Sequence, residues 1–429
     1  MTDVADLLQR LIRVDTTNPP GNETAAAELL RDYLEAAGVE CALYARVPER
    51  ANLVARIRGK GNGPSLALLS HTDVVLANPA EWQHPPFAGE LIDDVVWGRG
   101  ALDMKGEVAA SAVALATLAR EGWRGDGDLI FIAAADEEGG TGYGLKWLVE
   151  NHPEAARADY SVNEGAGDRV ELGGKIVYLC ATAEKMTSPF LLRVHGRSGH
   201  ASMPGIADNA LVKAGVLLTR LGEFNATPQL IPEVEGFFRA VTGAVPSDAL
   251  AAAHALGPLA TDLIEPLLGM TVSPTMITAS EKRNVIPALV EIAIDCRLLP
   301  GMTPADGEAA IRAWLEPVPM RDWELSNIDH HGGTRAPFDG PLWNAVESFV
   351  AEEEPGAVAA PICVAGFTDS HWMREAFDTV AYGFFPSREL DAATSARLIH
   401  SADERVPVAD LELGVRWLRH AAQAVCGAR

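Results

Sequence analysis

In this 429-residue chain, strand-like apolar runs repeatedly stop at side chains that can hold a cation or move a proton. "LALLS" runs into His71-Thr72-Asp73, and the "VWGRGALD" segment ends on Asp103, just before a helical stretch. "LIFIAAAD" ends on the adjacent pair Glu137 and Glu138, and "ADYSVN" ends on Glu164. Towards the C-terminus, "RLIHSADE" puts His400 in a loop before the last helix. Imidazole with carboxylate suits zinc, and carboxylate-rich sets also admit manganese or cobalt. If Asp103, Glu138 and Glu164 are anions and His71 and His400 are neutral, the shell carries −3. Two divalent ions supply +4, and one further anionic ligand balances the group. Each residue also has an ordinary reading. A lone histidine is more often a hydrogen-bonded structural group, Asp103 could cap a helix, and the glutamate pair could favour a helix N-terminus. Their shared position at successive strand ends is what favours chemistry.

The elements that must position them alternate. "TAAAELLRDYLEAAGV" and "MKGEVAASAVALATLAREG" have helical spacing, while "PSLALLSHTDVV", "GDLIFIAAADEE" and "ARADYSVNEGAG" read as strands. Such alternation predicts an α/β domain with a mostly parallel sheet and helices on both faces. Loops at the carboxyl ends of such strands converge where ligands bind. After residue 187 the texture changes. Strand candidates "PFLLRVHGRSGHAS", "TMITASEKRNVIP" and "LVEIAIDCRLLP" combine with helices at "GIADNALVKAGVLLTRLGEF" and near 303–315. A Pro- and Ala-rich stretch, 228–270, reads as a helical insertion. The expected division is a catalytic domain from 1–186 and 337–429, interrupted by an α+β lid or dimerisation domain at 187–336.

Composition narrows the partners. There are 35 Lys and Arg against 59 Asp and Glu, a formal charge of −24. That field repels nucleic acid and anionic membranes, so neither is expected as a partner. The N-terminus lacks a basic n-region and a long apolar core, and no stretch approaches a membrane span. The five cysteines (41, 180, 296, 363 and 426) form no CxxC pair, which points to a reducing cytoplasm.

The ordered segments "SHTDVV", "GRGALDMKG", "DEEGG", "NEG", "GRSGHAS", "NVIP" and "DCRLLPG" resemble the M20 metallopeptidase family over nearly the whole chain. That family holds carboxypeptidases, dipeptidases, aminoacylases, and deacylases of acetylornithine and succinyl-diaminopimelate. The resemblance implies an α/β zinc domain interrupted by a lid that commonly forms a homodimer interface. It implies that His71 and Glu164 hold one ion, His400 and Glu138 a second, and that Asp103 bridges both. Asp73 would orient His71, and Glu137 would be the general base. His330 and His331 are alternatives to His400. In the lid, His200 would stabilise the oxyanion, while Asn284 and Arg297 would hold the substrate's carboxylate or carbonyl. The loop "GFTDSHWMRE" departs from the family pattern. It retains Thr368 but has His371 where many relatives have Arg, with Arg374 three residues on. His371 is therefore the candidate substrate contact there.

The expected activity is hydrolysis of the amide bond in small N-acyl amino acids or short peptides with a free carboxylate. The cofactors would be two divalent ions, zinc first, with cobalt or manganese as alternatives. An aminopeptidase-like dipeptidase is the competing reading. A silent scaffold would have a broken ligand set, and here every position is filled. A metal-independent amidase would need a GxSxG-like nucleophile elbow, which neither "GRSGHAS" nor "TDS" supplies.

Overall fold

A computed structural model describes residues 2–140 and 142–427. Its largest sheet runs, edge to edge, Glu40–Ala45, Ala51–Ile57, Leu129–Ala134, Leu66–His71, Tyr160–Asn163, Val380–Gly383, Lys175–Glu184 and Val358–Val364. Arg169–Leu172 joins it by pairing with Lys175–Glu184. The sheet is mixed. Parallel pairings join Leu66–His71 to both Leu129–Ala134 and Tyr160–Asn163, and Tyr160–Asn163 to Val380–Gly383, so these neighbours end on one rim. Antiparallel strands extend it from Leu129–Ala134 through Ala51–Ile57 to Glu40–Ala45.

Side chains alternate across this sheet, as a doubly covered strand requires. Leu129, Phe131 and Ala133 pack with Leu8, Leu115, Trp417 and Leu418 of the helices Asp3–Ile12, Lys105–Arg120 and Val408–Cys426. Ile130, Ile132 and Ala134 face the other way, against Leu145, Leu148 and Met373. Both faces are thus apolar, and polar groups of these strands collect at their ends.

A second, six-stranded sheet contains Phe190–His195, Thr271–Thr278, Leu289–Leu298 and Trp323–Asn327, completed by the short strands Met186–Thr187 and His331–Gly332. Val290, Ile292, Ile294, Cys296 and Leu298 point inward at every second position. They meet the helices Ala210–Gly222 and Pro304–Leu315 through Leu217, Leu221, Ile311 and Leu315.

The 228–270 stretch is helical, as its composition predicts, with helices Pro232–Thr242, Ala249–Leu256 and Pro258–Ile264. Phe237 and Phe238 pack with Val177, Leu179, Ala360 and Ile362, so this insertion covers the large sheet rather than the smaller one. Finally, Arg405–Pro407 pairs with Val95–Trp97, drawing the loop after Leu398 towards the loop that precedes the helix Lys105–Arg120.

Candidate metal centre

His71 is the last residue of its strand, Glu137 and Glu138 follow Ala134, and Glu164 follows Asn163. Three parallel neighbours therefore deliver their polar ends to one rim. Asp103 arrives on the turn before Lys105, and His400 on the 399–404 loop.

Asp103 lies between the two histidines. His71 Nε2 is 3.1 Å from its Oδ1, and His400 Nε2 is 3.0 Å from its Oδ2. Glu164 Oε1 is 3.6 Å from His71 Nε2, and Glu138 Oε1 is 3.2 Å from His400 Nε2. Ligand-capable atoms of His71, Asp103 and Glu138 lie within 4.8 Å of one another, as do those of His71, Glu137 and Glu164. Each oxygen of Asp103 thus faces a different imidazole.

Asp73 holds the glutamate pair. Its Oδ1 accepts the backbone N–H of Glu137 at 3.1 Å, and its Oδ2 accepts that of Glu138 at 3.1 Å and the Asn18 amide at 2.9 Å. His71 Nδ1 is 3.1 Å from the Asp73 carbonyl oxygen and 3.4 Å from Oδ1. One carboxylate therefore orients both the imidazole and the acidic turn. The glycines after the pair have separate reasons. A Cβ on Gly139 would meet the Asn18 amide nitrogen at 2.5 Å, while Gly140 has φ +58°. Asp136 and His400, both at this rim, also have positive φ, +64° and +60°.

The electrostatics call for a cation. Burial opposes charge on His71, yet its bonds to Asp103 and Asp73 hold it well above the ordinary imidazole range. Hydrogen bonds to Asp103 and Glu138 push His400 up to about 10. Burial pushes Glu164 up to about 8, reinforced by the Asp103 charge. Burial likewise raises Glu137 well above the carboxylate range; His71 opposes the shift, while Glu164, Asp369 and Glu138 add to it. A divalent cation relieves both effects, and the imidazole and carboxylate donors suit one.

Several positioning residues escaped the sequence reading. Buried Glu404 accepts the backbone N–H groups of Leu102 at 2.7 Å, Asp103 at 3.0 Å and Gly100 at 3.1 Å, and pairs with Arg99 at 2.6 Å. Arg50 joins Glu23 at 2.5 Å to Asp136 at 3.1 Å beneath the acidic turn. Glu404 stands four residues after His400 in the same motif, so adjacency was its only signal. The Arg50 group comes from three separate segments and had none.

Thr368 lines the same cavity as the cluster, while the other expected contacts lie apart from it. His200 and Asn284 share an exposed ribbon, where Gly199–His200 pairs with Val285–Ile286 and His200 Nδ1 bonds Ser202 Oγ at 2.7 Å. Arg297 reaches the 366–369 loop, but Asp295 at 2.9 and 3.1 Å and Thr187 at 2.5 Å occupy its fork. Thr368 donates its N–H to Glu184 at 3.1 Å. His371 is buried, its Nδ1 2.7 Å from the Thr368 carbonyl; burial pushes it down to about 4, so it is a neutral imidazole. It cannot replace the charge of an arginine. Arg374 is committed to the Ala381 carbonyl at 2.6 Å and Thr334 at 3.1 Å. His331 pairs with Asp329 at 2.7 Å.

An α/β sheet with imidazoles and carboxylates gathered at its strand ends has the donor set of a metal-dependent enzyme. The chain matches the family described as peptidase family M20/M25/M40 over residues 67–424, and it belongs to that family. It is 28% identical to a succinyl-diaminopimelate desuccinylase of Paracoccus denitrificans over 418 residues, covering 94% of each chain. It is 30% identical to the protein of the same name from a Methylobacterium strain, covering 95% of this chain and 92% of that one. In structure it resembles an M20 family metallo-carboxypeptidase from Sulfolobus solfataricus, with TM-score 0.74, 17% identity and 99% of each chain covered. It also resembles a dinuclear metal-binding M20 peptidase of Bacillus subtilis, with TM-score 0.62, 15% identity, and coverage of 99% of this chain and 97% of that one. No helix among the described residues is long and apolar enough to cross a membrane.

Proposed function

We propose that this enzyme hydrolyses the amide bond of small N-acyl amino acids, with two divalent ions, zinc foremost, as cofactors. The observation that carries the reading is Asp103, with one oxygen 3.1 Å from His71 and the other 3.0 Å from His400. His71, Asp103 and Glu164 would hold one ion, and His400, Asp103 and Glu138 the other. Bound there, such ions would act as Lewis acids and lower the pKa of water. Desuccinylases among the relatives support an N-acyl substrate over a free dipeptide.

Glu137 is the proton carrier. Its carboxyl belongs to neither proposed ligand set, its backbone N–H is fixed by Asp73, and its environment raises its proton affinity. A base of raised pKa takes a proton from attacking water and returns it to the departing amine. Arg297 and Asn284 would contact the substrate's carboxylate or carbonyl, with Thr368 and His371 shaping the adjoining loop. Arg297 would do so by exchanging Asp295 for substrate. His200 would serve a site across a homodimer formed by the smaller domain. That reading is supported by exposed Leu211, Val212 and Val216 beside the strand Thr271–Thr278, which carries exposed Met276 and Ile277.

The test is a pair of variants assayed for zinc content and for turnover of N-succinyl and N-acetyl amino acids. Glu137→Gln is expected to keep its zinc and lose about 10²–10⁴-fold in kcat. Glu138→Ala is expected to lose metal from one site. Near wild-type turnover by Glu137→Gln would remove the base assignment.

A further inference from the structure

The two sheets are joined by a pair of antiparallel segments, and one wall of the metal-site cavity leans on that junction. The strand Lys175–Glu184 runs directly into Met186–Thr187 of the smaller sheet, and the return leaves His331–Gly332 through Thr334 and Arg335. The segments stay paired through the crossing. Met186 lies opposite Gly332, Glu184 N–H donates to the Thr334 carbonyl at 3.1 Å, and Ala336 N–H donates to that of Thr182 at 2.8 Å. The ladder breaks at Lys185, whose N–H goes instead to the Val364 carbonyl at 2.9 Å, at the end of the strand that leads into the 366–369 loop. Phe367 and Thr368 of that loop line the cavity that holds the cluster, which measures about 400 Å³. The return crossing touches the same loop: a Cβ on Gly332 would stand 2.7 Å from Phe367 Cβ, so the approach requires glycine.

One side chain ties these parts together. Glu184 is buried, and its Oε2 accepts the Thr368 N–H at 3.1 Å and the Thr368 hydroxyl at 3.3 Å. Its Oε1 accepts the Thr334 hydroxyl at 2.8 Å. Buried Arg374 lies 3.5 Å from that oxygen as counter-charge and donates to the same hydroxyl at 3.1 Å. Other buried acids near the cluster go unanswered: Glu107 Oε1 and Asp369 Oδ2 have no hydrogen-bond partner among the described residues. A buried carboxylate whose oxygens are all satisfied is fixed in place and fixes its donors in turn. From Thr368 the bonds continue. Its hydroxyl accepts the Ser370 N–H at 3.2 Å, and Ser370 Oγ accepts the amide of Asn163, the residue before Glu164, at 3.2 Å. We infer that Glu184 is a positioning residue that couples the junction to the cavity wall, so that the seating of the smaller sheet sets where Phe367 and Thr368 stand against the substrate. Thr334 acts through it, although it does not line the cavity. The substrate half of this inference rests on the hydrolase reading above.

Hydrogen exchange read by mass spectrometry, with kinetics on N-acetyl amino acids, tests the coupling in zinc-loaded Glu184→Ala, Glu184→Gln and Thr334→Val. Thr334→Val removes only the bridging hydroxyl and keeps the side-chain shape, so the test stands if Glu184→Ala does not fold. In Glu184→Ala and Thr334→Val, the amides of 364–370 and of 332–336 are expected to exchange about tenfold faster or more, both segments together, with the strand Leu129–Ala134 unchanged. In Glu184→Ala, KM should rise by about tenfold or more with kcat within about threefold, because a displaced wall weakens substrate and transition state alike. Thr334→Val should move KM in the same direction, and zinc content should hold in every variant. Glu184→Gln, which keeps the shape and one acceptor oxygen, should recover most of the lost KM. A merely structural role would lower the melting temperature while KM and the exchange of 364–370 stay as in wild type, and that result overturns the inference. Faster exchange confined to 332–336 overturns it as well. If both segments respond but wild type hydrolyses no N-acetyl amino acid, the hydrolase reading falls and the coupling stands.

Discussion

Two adjacent glutamates are an electrostatic liability unless their tasks differ. Here they do differ in surroundings: Glu138 is 3.2 Å from His400, while Glu137 sits nearer His71 and Glu164. The same crowding makes the metal-free site a proton store. His400 is raised to about 10 and Glu164 to about 8, so at neutral pH both hold protons that an incoming cation must displace. The sign follows from that competition. Raising the pH removes the competing protons, so apparent zinc affinity rises, by about tenfold per pH unit for each proton displaced. The raised His400 also stabilises the metal-free fold most fully below the ordinary imidazole pKa, and this is lost as pH climbs through about 10. Zinc titrations in buffers of different ionisation enthalpy read the proton release directly. A signal independent of buffer would contradict it.

Positioning belongs to the elements. Asp103 sits on an irregular turn, and what steadies the turn is the segment after His400. Glu404 collects three backbone N–H groups and the Arg99 guanidinium, and Arg405–Pro407 then pairs with Val95–Trp97. The loops that carry Asp103 and His400 are thereby locked to each other. Glu404→Ala leaves Arg99 buried without its partner, which is expected to cost about 3–5 kcal/mol in urea unfolding. Zinc affinity should fall with it, although Glu404 touches no ligand atom in the proposed set. A stability change within error would show that the turn holds itself.

At the scale of the molecule, the large sheet builds the site and the smaller domain leaves an apolar face uncovered. Leu211, Val212 and Val216 are 45%, 67% and 51% exposed, and Met276 on the strand Thr271–Thr278 is 69% exposed. Among the described residues, Thr271–Thr278 pairs on one side only, with Leu289–Leu298, so its other edge can accept a strand. If this face is the homodimer interface, Val212→Glu with Met276→Lys should yield monomers by light scattering. Turnover should fall with dimerisation if His200 serves the partner's site, while zinc content should hold.

Much of the site could be read directly from the chain, because strand-end chemistry is local. An apolar run followed by His-x-Asp, Asp, Glu-Glu or Glu announces both the strand and the group it delivers, and the structure gathers His71, Asp103, Glu137, Glu138, Glu164 and His400 as that pattern predicts. The helix–strand alternation and the helical 228–270 stretch were equally visible, since periodicity needs no knowledge of distant partners. Tertiary structure alone decided where that stretch packs, which acids go unanswered, and that His371 is buried and neutral. Burial and pairing depend on segments hundreds of residues apart, as when Glu404 meets Arg99, and one-dimensional spacing carries no record of such contacts. Sequence by itself therefore determined which chemically competent groups sit at the strand ends of this protein. The fold decided which of those groups meet, which support them, and which line the cavity beside them.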